Sequence, residues 1–222
     1  MDTTDLQLTD YLQALQSTLK RQPENCRVVT LEAGSDTREF ERFIGRQFRL
    51  RLQHYMLTSR ARLLETSLAI TARSTHFLLY QQDRLMAVLR VTPSPFEWAS
   101  LAHQHLSPTQ ALSRHVEFSR LITLSHGHLP VSVNCLLASA TEWAIKRGYE
   151  GVIALCRSPQ RRLFQRFGLT SITTDSLHIE QRARADYWLL SAQWPQILAA
   201  VQQPAHTALN PPEHHDDRAR QF

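Results

Sequence analysis

His115-Val116-Glu117-Phe118-Ser119-Arg120-Leu121-Ile122-Thr123-Leu124 places a carboxylate and a guanidinium inside a run that is otherwise largely apolar or β-branched. Such a run reads as a strand of a central sheet. Successive side chains of a strand point to opposite faces. His115, Glu117, Ser119, Leu121 and Thr123 are therefore expected on one face, and Phe118, Arg120 and Ile122 on the other. A charge buried in a sheet without a partner is strongly unfavourable, so Glu117 and Arg120 call for partners, a water path or a chemical use. The alternative is a rim position where both are solvated.

Upstream of this strand, His76 to Tyr80 and Leu85 to Val91 flank a turn at Gln82-Asp83-Arg84 and predict a β-hairpin that stops at Pro93. Arg90 sits between Leu89 and Val91, a second charge in an apolar strand, and strand pairing would bring it close to Glu117. Residues 93 to 113 contain two Ser-Pro steps and little periodicity, and read as a loop with at most a helical turn. Downstream, Val131 to Arg147 is a helix closed by Gly148, Gly151 to Cys156 a buried strand, and Pro159 to Phe167 a helix capped by Gly168. Strands at Leu169 to Thr173 and Tyr187 to Ser191 and a last helix at Trp194 to Gln202 follow. Nearer the N-terminus, Leu8, Tyr11, Leu12, Leu15 and Leu19 share one face of an amphipathic helix, Arg27 to Glu32 form a strand, and Ser35 or Asp36 caps a long helix. A further helical piece starts at Ser59. The order predicts an α/β fold with one central mixed sheet flanked by helices. Residues 1–26 form an N-terminal helix and linker, 27–202 one domain, and 203–222 a tail with no apolar period.

The chain has 222 residues, 42% of them hydrophobic and 20% charged, which suits a single globular domain. It contains no stretch of roughly 18 to 20 apolar residues, and its first residues are acidic rather than basic-then-apolar, so no membrane span or signal peptide is expected and the cytoplasm is the expected compartment. Three cysteines, Cys26, Cys135 and Cys156, lack a C-x-x-C spacing and read as reduced, mostly buried thiols. The net charge is +5 and comes almost entirely from arginine, with Lys20 and Lys146 the only lysines. Polyanionic partners suit that balance: a nucleotide-bearing cofactor, an acidic carrier protein or nucleic acid.

The segments Ser74-Thr75-His76-Phe77-Leu78, Leu89-Arg90-Val91-Thr92-Pro93 and Val116-Glu117-Phe118-Ser119-Arg120-Leu121 resemble, in order, the motifs S-x-H-F-L, R-L-x-P-T and E-x-S-R-L. These motifs belong to the acyl-homoserine-lactone (autoinducer) synthases and the related N-acyl amino acid synthases of the GCN5-related N-acyltransferase superfamily. Leu163-Phe164-Gln165-Arg166-Phe167-Gly168-Leu169 is similar to that superfamily's L-Y-E-R-L-G-F segment. The resemblance covers about residues 27 to 175. It implies a GCN5-related N-acyltransferase-like central mixed sheet, with an N-terminal helix added and a gap between the fourth and fifth strands. It also implies fatty acyl transfer from an acyl carrier protein or acyl-CoA thioester to a small-molecule amine such as an amino acid, with no permanently bound cofactor. Glu117 would be the catalytic carboxylate, assisted by Arg120 and Ser119. Arg90, Arg51 and His76 would bind substrate, and Arg46, Arg49 and Arg51 would offer a carrier-docking face. An amine must lose its proton before it attacks a thioester, and a carboxylate desolvated in a cleft suits that task.

The chain departs from the pattern at several places. Leu68 and Thr71 stand where family members carry a D-x-x-D pair, which argues against a cationic acceptor such as S-adenosylmethionine. The turn Ser125-His126-Gly127-His128 has one glycine where a phosphate-cradling loop has several, which favours a carrier protein over coenzyme A as donor. Phe164 replaces a common tyrosine acid. His126 and His128 lack a third ligand and no metal site is expected. Phe40, Phe43, Phe48 and Trp143 are expected in the core, Cys135 and Cys156 in packing roles. Nucleic acid is not expected as a partner. Other activities are acetyl-CoA-dependent acetylation of a protein or aminoacyl-tRNA amine, or a catalytically silent acyl-binding role.

Overall fold

In the computed structural model, residues 13, 17, 25–43, 69–101, 112–123, 131–179 and 186–202 are described. The expected N-terminal helix, apart from Gln13 and Ser17, and the expected tail lie outside them, as does most of the long helix that would follow Asp36. The strands are β1 (Cys26–Leu31), β2 (Thr75–Gln81), β3 (Arg84–Pro93), β4 (His115–Thr123), β5 (Gly151–Arg157), β6 (Thr170–Ser171) and β7 (Tyr187–Gln193). The helices are α1 (Glu97–Leu101), α2 (Val131–Lys146), α3 (Ser158–Arg166) and α4 (Trp194–Gln202), besides helical residues 38–43 and 69–72. The strands form one sheet in the order β1-β2-β3-β4-β5-β7-β6. All neighbours are antiparallel except β4 and β5, which run parallel. Here β4 and β5 are the fourth and fifth strands of the mixed sheet.

Period-2 alternation divides the apolar residues between two faces. On one face Phe77, Leu89, Val116, Phe118, Val152 and Ala154 pack with Leu136, Ala140 and Ala144 of α2 and Phe164 of α3 in the main core. The other face carries two smaller apolar clusters. Phe40 and Phe43 from residues 38–43 cover Leu78, Tyr80 and Val88 at the β1 side, while Phe96 and Trp98 cover Ile153, Leu189 and Tyr187 at the β7 side. Between these two clusters, on β3 and β4, lie Arg90 and Glu117.

Glycines end the helices where expected: Gly148 (φ +76°) follows α2 and Gly168 (φ +94°) follows α3, both in the left-handed region that other residues avoid. Gly151 is used differently. It opens β5 where that strand pairs with both β4 and β7, and a Cβ there would run into the Ala192 carbonyl and lie 2.6 Å from His115 Nε2. Backbone cannot yield as a flexible side chain would, so Gly151→Ala is expected to cost about 2 kcal/mol, read as a lowered urea midpoint at unchanged slope. An unchanged midpoint would show that the β4–β5–β7 junction tolerates widening.

Candidate active site

Glu117 is the last β4 residue paired to β5. The parallel ladder runs His115 to Gly151, Val116 to Val152 and Glu117 to Ile153, and among the described residues it goes no further although both strands continue. The sheet therefore splays open directly beyond Glu117. Across the splay, the Gln160 side-chain amide of α3 donates to the Leu121 carbonyl at 3.1 Å. Glu117 itself is only 1% exposed. Its two carboxylate oxygens accept the backbone N–H groups of Glu97 (2.5 Å) and Trp98 (3.1 Å), at the start of α1. The solvated-rim alternative does not hold.

Arg90 is fully buried on β3 and fans out to three elements. Nη2 donates to Glu97 Oε2, Nε to Ser119 Oγ at 3.0 Å, and Nη1 approaches Thr71 Oγ1 at 3.4 Å. The second Glu97 oxygen, Oε1, accepts from Arg120 Nη2 at 2.7 Å. One carboxylate thus holds two guanidinium groups, the arrangement that makes buried arginine tolerable. Simple alternation does not predict this for Arg120. The β3–β4 register shifts between Val88 and Arg90, with one extra residue on β4, and Arg120 adopts φ +55°. This β-bulge breaks the period of two, so the expected face assignment fails beyond Ser119. Leu121 joins Phe118 in the main core, Ile122 packs with the β1-side cluster, and Arg120 reaches the Glu117 side of the sheet.

The electrostatics follow from burial and from the second carboxylate. Loss of water and the nearby Glu97 charge push the Glu117 carboxyl up to about 7, outweighing Arg90 and the two backbone N–H groups, which pull it down. A group that changes protonation near neutrality is suited to receive a proton. Nearby, Arg73 donates through Nη1 to the Pro93 carbonyl at 2.9 Å and through Nη2 to the Pro95 carbonyl, tying the segment before β2 to the end of β3. His76 is fully buried with its ring 4.2 Å from Phe40, and burial followed by the Arg90 charge holds it down to about 4, so it is neutral. Cys156 is buried in the main core, and desolvation pushes its thiol up to about 12, which suits a packing role rather than a nucleophile.

The structure brings Glu117, Ser119, Arg120 and Arg90 together. Arg51, Arg46 and Arg49 lie outside the described residues, as do His126 and His128. Among the described residues no cluster of His, Cys, Asp or Glu could hold a metal ion. Of the two positions of the absent acidic pair, Leu68 is outside the described residues, and Thr71 is buried against Arg90. Phe164, in the place of a tyrosine acid, belongs to the core. Glu97 is the residue that sequence reasoning missed. It lies in the stretch that shows no period, yet an acid between Phe96 and Trp98 is the same signal of a charge among bulky apolar neighbours that marked Arg90.

No family model matches the chain, and no curated protein does. Solved structures do. TofI, in a ternary complex with an inhibitor and MTA, superposes with a TM-score of 0.60 at 20% identity, over 79% of this chain and 96% of that one. FeeM, an N-acyl amino acid synthase from uncultured soil microbes, gives 0.58 at 14% identity over 78% and 93%. MesI, a CoA-dependent acyl-homoserine lactone synthase, gives 0.50 at 14% identity over 79% and 93%. FeeM and MesI belong to the groups of enzymes whose motifs the sequence resembles. The chain has the GCN5-related N-acyltransferase-like fold.

Proposed function

We propose that the protein is an N-acyltransferase that moves a fatty acyl group from a carrier-protein or coenzyme A thioester to the amino group of an amino acid or similar small amine. The observation that carries this reading is a buried carboxylate, Glu117, at the point where β4 and β5 part, in a fold shared with N-acyl amino acid and acyl-homoserine lactone synthases. The acyl-pantetheine arm would lie in the splay. Glu117 takes one proton from the acceptor ammonium; the freed nitrogen attacks the thioester carbonyl carbon, the C–S bond breaks, the nitrogen gives up its second proton to solvent, and the sulfur leaves as thiolate that is protonated from solvent. The products are an amide and a free thiol.

Charge balance bears on the acceptor. Among the described residues the cluster holds Arg73, Arg90 and Arg120 against Glu97 and Glu117, and protonation of Glu117 adds to the positive excess. A carboxylate-bearing acceptor of net neutral or negative charge suits that excess, whereas the added positive charge of a sulfonium does not. No described helix is long and apolar enough to cross a membrane. The test is a scan of medium-chain and long-chain acyl-CoA and acyl-carrier donors against amino acids and S-adenosylmethionine, with thiol release and amide mass as readouts. Stoichiometric thiol and N-acyl amino acid are expected. Donor binding with neither product would mean a catalytically silent protein.

A further inference from the structure

Glu97 stands at the centre of the buried network, and both its backbone and its side chain are engaged with catalytic candidates. We propose that Glu97 is a positioning residue for the base: it draws Arg90 and Arg120 onto its own carboxylate and so keeps both guanidinium groups from neutralising Glu117. The inference rests on Glu117 being the base of the proposed transfer.

The contacts divide cleanly. Each Glu97 oxygen is taken by a different arginine, Oε2 by Arg90 and Oε1 by Arg120. Each Glu117 oxygen is taken by a backbone N–H, and among the described residues no guanidinium hydrogen-bonds to it. The groups that face Glu117 come from every side. Glu97 and the Trp98 N–H come from α1, Arg90 from β3, Arg73 from the turn before β2, and His115, Ser119 and Arg120 from β4 itself; Ile153 of β5 is uncharged. Arg90, fully buried and deprived of the Glu97 charge, would turn to Glu117, the carboxylate that remains among the described residues of the cluster, since an unpaired buried guanidinium is costly. Glu117 paired in that way would hold its charge more firmly and accept a proton less readily. The same residue fixes the base in place, because its N–H is one of the two that orient the Glu117 carboxylate.

Glu97→Gln keeps the side chain's size and the backbone N–H while removing the charge. In protein labelled with 13C at the glutamate carboxyls, with the Glu117 signal assigned by its loss in Glu117→Gln, the Glu117 titration midpoint is expected to fall by at least one pH unit in Glu97→Gln. That is a tenfold weaker proton affinity. An unmoved or raised midpoint overturns the proposal. Arg120→Met gives a test of opposite sign that does not depend on Glu97→Gln folding. With one cation gone, Glu97 is less neutralised and the Glu117 midpoint is expected to rise; a fall or no change overturns the proposal. A residue that only supports packing would move neither midpoint. The titration needs no substrate, so absence of acyl transfer would sink the proposed function and leave this result standing.

Discussion

Glu117→Gln is expected to lose 100-fold to 10,000-fold in turnover, the usual range for removing a positioned general base, while the far-ultraviolet circular dichroism stays that of the parent. In the parent the rate should fall on the acid side with a midpoint near 7, because Glu117 must be ionised to take the amine's proton and burial with Glu97 has pushed it up to about 7. Stability should show the opposite trend. A carboxyl whose folded value lies above its unfolded value of 4.5 binds more protons when folded, so its contribution is favourable at low pH and is lost as pH rises from 4.5 through 7. The loss is of order 3 kcal/mol for a shift of this size. Urea unfolding between pH 5 and 8 should therefore have a component of falling stability that vanishes in Glu117→Gln. Near-parent turnover, or a pH–rate profile flat through neutrality, would remove Glu117 from the role of base. Function and stability would thus pull in opposite directions at this residue: the desolvation that would suit it to act as a base also makes its ionised form expensive to house.

The largest stability effect is expected at Arg90. Arg90→Met retains bulk and removes a guanidinium that is bonded to Glu97, Ser119 and Thr71 in a site closed to water. Breaking a buried ion pair from one side leaves its partner charged and undersolvated, at a cost of about 3 to 5 kcal/mol. For a chain of this length that is about 10 °C in Tm. Arg120, whose side chain is 17% exposed, still faces Glu97 and offsets part of the cost. Arg90→Lys should recover some stability, since it restores the charge, but less than the full amount, since an ammonium lacks the planar fork that reaches three partners at once. A Tm within two or three degrees of the parent in Arg90→Met, measured by calorimetry at neutral pH, would show that solvent enters the cluster and that the pair is not buried in solution.

These two residues were legible for the same reason. Each is a charge set in an apolar, β-branched run, which left burial with a partner or a solvated rim position, and the structure selects burial. The motif order around them also anticipated the fold and the splay beyond Glu117, and glycines at 148 and 168 marked the helix ends. The face of Arg120 was not legible. A β-bulge needs only one residue to leave the extended region, and arginine at φ +55° is not announced by composition as glycine would be. Once Arg120 has turned, Leu121 moves into the core and Ile122 out to the opposite cluster.

Glu97 shows the other limit. Nothing periodic marks residues 93 to 113, so the sequence carried the acid and the aromatic residues on either side of it but not their destination. Phe96 and Trp98 pack on Ile153, Leu189 and Tyr187, and that packing returns the chain across the sheet and sets the Glu97 N–H against Glu117. By itself the sequence determined the strands, the helix ends and the two charges set among apolar residues, because these depend on local pattern. Only the tertiary structure decided which charges meet, because pairing depends on contacts between segments far apart in the chain, and those contacts raise the proton affinity of Glu117.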